Sequence, residues 1–165
     1  MKPLFLSAAL LCGFAAYPSF AADMPGEKNL SLALANQLAQ GAIQACSANH
    51  HQIAVTVVDR AGVIKAMQRM DNAGPHTVEA SRMKAYTALT TKNTTEDVMK
   101  SAQANAGAAN LRDIPGFLLL GGGVPVKAGE QIIGAIGVGG APGGHIDQQC
   151  ALEAIKHIQS SLDKA

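Results

Sequence analysis

Arg69-Met70-Asp71-Asn72-Ala73-Gly74-Pro75-His76-Thr77 joins the end of a predicted strand to the start of a predicted helix, and the fold is read outward from it. Gly74-Pro75 makes the turn. Proline suits a first helical turn, where its missing N–H would have no partner in any case, and the helix runs on through Lys84-Ala85-Tyr86-Thr87-Ala88 to about Thr91. Ala80, Ser81, Ala85 and Ala88 are small enough to let that helix lie close against a sheet. The junction presents a histidine, an arginine and several backbone N–H groups at one spot, so function is expected there.

Upstream, Ser31 is placed to cap a helix to about Asn49, with Leu30, Leu34, Leu38, Ala42 and Cys46 recurring at four-residue steps. Gln52 to Asp59 is rich in β-branched residues, Arg60-Ala61-Gly62 turns the chain, and Val63 to Met70 returns as the second strand of a hairpin. Neither face of that second strand is cleanly apolar, which suits a strand partly covered by a neighbour or by another subunit. Downstream, Thr94 with Asp97 resembles a capping box for a helix to about Ala104. Phe117–Leu120, Val124–Lys127 and Gln131–Val138 read as three more strands, and short connectors make neighbours antiparallel. Glycines among the isoleucines of Gln131–Val138 mark a close approach by another backbone or a ligand. His145 to Leu162 closes the chain as a helix. The expected fold is therefore α+β, a single antiparallel five-stranded sheet flanked by helices in the order α-β-β-α-α-β-β-β-α.

The first residues read differently. Lys2, the uncharged apolar run Leu4 to Ala16 and Ser19-Phe20-Ala21 have the form of a signal peptide, residues 1–21, cleaved after Ala21. A linker, residues 22–29, and one domain, residues 30–165, would follow. The apolar run falls short of the ~20 residues of a membrane span, and Leu11 before Cys12 departs from a lipid-attachment site, so no membrane anchor is expected. The protein is expected to be periplasmic or secreted. Without residues 1–21 the chain has twelve basic and twelve acidic residues. That balance argues against nucleic acid as a partner, because phosphate backbones need a basic surface. Phe117 and Tyr86 are then the aromatics left, so a pocket must be walled by aliphatic groups, methionine and backbone. Cys46 and Cys150 are left either to pair in an oxidising compartment or to stay as separate buried thiols.

Several residues carry candidate chemistry. His76 projects from a helical first turn, where an imidazole tends to stay neutral and so can ligate iron or another metal; it can equally solvate its own loop. Thr77 lies beside it. His145 has the same setting, and His50-His51 can cap the first helix or ligate. Arg69 and Arg82 can hold a ligand carboxylate or pair with Asp71 and Glu79. Lys84 and Tyr86 sit on different sides of their helix and make a weak acid–base pair. Gly139 and Gly140 open a loop before a helix N-terminus whose N–H groups suit an anion, yet the run lacks the third glycine of a dinucleotide fingerprint and has no P-loop lysine. No catalytic set and no zinc spacing is complete.

Val57-Val58-Asp59 with Ala61-Gly62, Arg69-Met70-Asp71-Asn72-Ala73, Lys84-Ala85-Tyr86-Thr87-Ala88, Gly121-Gly122-Gly123-Val124-Pro125 and Gly134-Ala135-Ile136-Gly137-Val138-Gly139-Gly140, in that order, resemble the GlcG/HbpS-like haem-binding family. The resemblance spans nearly the whole chain after its leader. It implies a compact domain with a five-stranded antiparallel sheet, a homo-oligomer and haem as a cofactor. Some members of that family bind haem, one group is linked to haem degradation and redox sensing, and others sit beside glycolate or glycol metabolism. The expectation is an exported protein binding haem or another small molecule, with His76 on the iron and Arg69 or Arg82 near a propionate. Two other classes stay open: an enzyme or accessory protein acting on a small hydroxy acid or carbonyl compound through Lys84, Tyr86 or His145, and a structural homo-oligomer subunit.

Overall fold

The computed structural model describes residues 26–164; the expected leader, residues 1–21, and residues 22–25 lie outside the described residues. Its elements are α1 (Leu32–Ser47), β1 (Ala54–Asp59), β2 (Ile64–Arg69), α2 (Thr77–Thr91), α3 (Thr95–Ala104), a 3-10 helix (Ala106–Asp113), β3 (Gly123–Ala128), β4 (Gln131–Gly139) and α4 (Gly144–Leu162). The caps fall where the sequence put them. Ser31 accepts from the Leu34 N–H, and Thr94 accepts from the Asp97 N–H while donating to its carboxylate at 2.8 Å.

The class is α+β, but the sheet has four antiparallel strands in the order β2-β1-β4-β3, not five. Phe117–Leu120 is not a strand, and a 3-10 helix precedes it, so the expected element order is also corrected. The reason is where its backbone finds partners. The Leu118 N–H donates to the Thr87 hydroxyl at 2.9 Å, and the Leu120 carbonyl accepts from the Thr95 hydroxyl at 2.7 Å. Side chains of α2 and α3 thus do what a neighbouring strand would have done. Phe117 is buried edge-on against Tyr86, ring centroids 6.1 Å apart, which anchors the segment to α2.

Alternation along β1 and β4 sorts the core into two layers. Val55, Val57, Ile136 and Val138 face α1 and α4, where each fully buried side chain contributes roughly 1.5–3 kcal/mol. Thr56, Val58, Ala135 and Gly137 face α2. Their small size sets the spacing of that layer. A Cβ on Gly137 would overlap the Ser81 carbonyl and sit 2.5 Å from the Ala85 nitrogen, so the close approach expected at this strand is made by the backbone of α2. On the other face α1 and α4 are joined by a disulfide, Cys46–Cys150, with Cα atoms 5.4 Å apart. β2 is an edge strand with Ile64 and Met67 each 47% exposed, in keeping with its mixed sequence pattern.

Candidate functional site

One end of the sheet gathers most of the residues that the sequence singled out. β4 ends at Gly139, next to the first turn of α2, and α4 starts four residues beyond Gly140. His76 is the N-cap position of α2; its imidazole is exposed and makes no capping hydrogen bond. His145 is exposed in the first turn of α4. His50 and His51 follow α1 at the same end, because Gly140 packs against Gln52 and Ile53. The end is rich in histidine but does not form a metal cluster: among the described residues no three His, Cys, Asp or Glu side chains converge on one point.

The arginines that the sequence set around this loop are engaged. Arg69 donates through Nε at 3.0 Å, and through Nη2, to the Ala73 carbonyl, closing the loop between β2 and α2. Thr77 is buried and its hydroxyl donates to the Gly74 carbonyl at 2.6 Å, which tightens the same turn. Arg82 grips Glu79 one turn below through two bonds, 2.9 Å and 2.6 Å. The Arg82 hydrogen bond holds the Glu79 carboxyl below its usual range, and Glu79 in turn raises the guanidinium. A ligand carboxylate would have to compete with Ala73 and Glu79 for these two arginines.

Lys84 lies in the interior. Its Nζ donates to Asp147 Oδ2 at 2.8 Å and to the Val138 carbonyl at 2.9 Å, with both side chains under 5% exposed. The other oxygen of Asp147 accepts from the Ala141 N–H at 2.9 Å. The anion held on the glycine loop is therefore the protein's own carboxylate. Around this pair the backbone comes so close that side chains have no room. Gly122, at φ +123°, would place a Cβ 2.9 Å from Lys84 Nζ and 2.8 Å from Asp147 Cβ, and Gly140 is held at φ +132° against Gln52. The lysine motif of α2 and both glycine runs are parts of one buried junction joining α2, β4 and α4. The sequence reading missed it because Asp147, in the first turn of α4, looks like an ordinary complement to a helix dipole. A lysine amid small residues on a sheet-facing helix was the available signal.

A separate open cleft of about 590 Å³ lies at the other end of α2, with Tyr86 in its wall. None of the histidines lines it.

Residues 30–156 match the family of haem-degrading HbpS-like proteins. This chain belongs to the HbpS-like family. The GlcG protein of Escherichia coli K12 is 32% identical over 109 residues, covering 66% of this chain and 80% of GlcG. A double mutant of Streptomyces reticuli HbpS superposes with a TM-score of 0.77 at 33% identity, covering 88% of this chain and 98% of HbpS. The ORFY protein of Klebsiella pneumoniae gives 0.75 at 30% identity, over 84% and 98%. His76 offers one exposed imidazole with no capping bond, on a loop that Thr77 and Arg69 hold in place, and an imidazole nitrogen is chemically able to ligate iron.

Proposed function

We propose that this chain is an exported haem-binding protein that works in haem handling or redox sensing, with His76 as the iron donor. The observation that carries the reading is the match of residues 30–156 to haem-degrading HbpS-like proteins, taken with the free imidazole at the start of α2. Haem supplies the iron and its redox chemistry when bound. The chain's own part is to present a nitrogen from a fixed position: Thr77 and Arg69 brace the loop from both sides, and the Lys84–Asp147 junction holds α2 against α4 behind it. Export rests on the leader-like residues 1–21 and agrees with a disulfide between Cys46 and Cys150, a bond that persists in oxidising compartments. Assembly into a homo-oligomer would cover Val63, Ile64 and Met67 along the β2 edge.

The test is a haem titration followed by absorbance, with His76→Ala beside the natural protein. A saturable Soret band that is lost or shifted in the variant supports the reading. An unchanged spectrum moves the donor to His145 or His51, and binding that never saturates removes haem as the ligand.

A further inference from the structure

Gly74 and Gly143 are glycines that their backbones do not require. Among the described residues positive φ falls at Gly62, Gly116, Gly122, Gly129 and Gly140, and at neither of these two. Gly143 sits at φ −148°, extended backbone that any residue adopts. Gly74 precedes a proline, a position that asks for extended backbone as well. Each stands two residues ahead of a histidine at a helix start: Gly74-Pro75-His76 at α2 and Gly143-Gly144-His145 at α4.

In both places it is the imidazole that needs the missing side chain. A Cβ on Gly74 would lie 2.8 Å from Cε1 and 3.0 Å from Nδ1 of His76, and one on Gly143 would lie 2.7 Å and 2.9 Å from the same atoms of His145. Packed atoms sit about 3.5–4.0 Å apart, so neither ring could stay where it is beside a Cβ. Each imidazole is thus folded back over its own turn with the Nδ1–Cε1 edge against the glycine, and in His145 the Nε2 atom lies farther out, at 3.7 Å. Gly74 is moreover a fixed surface. Its carbonyl accepts from both the N–H and the hydroxyl of Thr77, at 3.0 Å and 2.6 Å, and the Ala73 carbonyl just before it accepts from Arg69.

We propose that Gly74 is a positioning residue for the iron donor: its bare Cα seats the His76 ring by the Nδ1–Cε1 edge, so that Nε2 is the atom presented for ligation. The inference deepens the His76 reading and rests on it. Gly143, which gives His145 the same seat, supplies the control.

The seat is read first without haem. In protein carrying 13C-labelled histidine, the His76 ring signals are assigned by His76→Ala, and its Hε1 should show a nuclear Overhauser contact to the Hα protons of Gly74. Gly74→Ala should move those ring signals while the thermal melt stays that of the natural protein, because the group that must give way is an exposed side chain. The same variant should weaken haem about ten- to a hundredfold, the usual cost of losing a group that orients a metal ligand. Gly143→Ala should move the His145 signals and leave haem binding unchanged. In the diamagnetic gallium complex of protoporphyrin IX, both carbon-bound ring protons of His76, Hε1 and Hδ2, should move upfield, since Nε2 lies between the carbons that carry them. The proposal is overturned if the contact to Gly74 is absent, if Gly74→Ala leaves the ring signals in place or binds haem as tightly as the natural protein, or if Hε1 moves without Hδ2. If His76→Ala leaves haem binding unchanged, the donor reading falls and takes this inference with it; if His76→Ala loses haem and Gly74→Ala does not, the reading stands and the seat alone is refuted.

Discussion

Replacing Lys84 by Met tests whether the buried junction governs stability. Methionine keeps most of the side-chain volume and removes the ammonium, so Asp147 is left with a carboxylate that is 3% exposed and held by the Ala141 N–H alone. Breaking a buried ion pair from one side costs about 3–5 kcal/mol, because the remaining charge has neither water nor partner. The Val138 carbonyl also loses a donor, adding about 1 kcal/mol. For a domain of this size the melting temperature should fall by roughly 10–20 °C. Adding Asp147→Leu should recover most of that loss, since a buried pair replaced by well-packed apolar groups is often neutral within about 1 kcal/mol or stabilising. Urea unfolding followed by circular dichroism measures both variants. A loss below about 1 kcal/mol in the single variant, or a double variant no better than the single one, would refute the account of the junction as an isolated buried pair.

Three further outcomes follow from the packing and charges. Cys46→Ser with Cys150→Ser opens a link across 104 residues and should cost about 2–5 kcal/mol in the same unfolding assay; no change would mean that α1 and α4 hold together without it. Gly137→Ala places a methyl group against the Ser81 carbonyl and should cost about 1–3 kcal/mol or more, read as a lowered melting temperature, whereas an unchanged melt would contradict the close contact of α2 with β4. The Glu79–Arg82 pair is exposed, so Glu79→Ala should change stability by only about 0.2–0.5 kcal/mol. Because the Glu79 carboxyl is held below its usual range, that contribution is present above the range and is lost as pH falls through the lowered value; acid titration of the natural protein and the variant should converge there.

The candidate residues were unevenly legible in the sequence. His76 was singled out because Pro75 marks a helix start, and the structure puts it at the N-cap. Arg69 and Arg82 were singled out as cations flanking the loop, but their partners, Ala73 and Glu79, show how short-range loop and helix contacts take up such groups. The cleft around Tyr86 was not foreseen. It is built from two hairpin tips and a helix end that lie far apart along the chain, and no periodicity within one segment records their meeting.

What the sequence alone determined is what local physics controls. Ser31 and Thr94 cap because their hydroxyls reach N–H groups three residues on, and the alternation of β1 and β4 assigns each side chain to a layer before any partner is known. Family membership was legible too, since its motifs are the turn and small residues that backbone geometry demands. Only the tertiary structure decided the rest. Phe117–Leu120 has the composition of a strand, and it is kept out of the sheet by hydroxyls at Thr87 and Thr95 that satisfy its backbone instead. Cys46 finds Cys150, and Lys84 finds Asp147 across 63 residues, because the helices carrying them are brought to the same end or face of one sheet. Such pairings depend on distances in three dimensions that a residue's own neighbours along the chain do not encode.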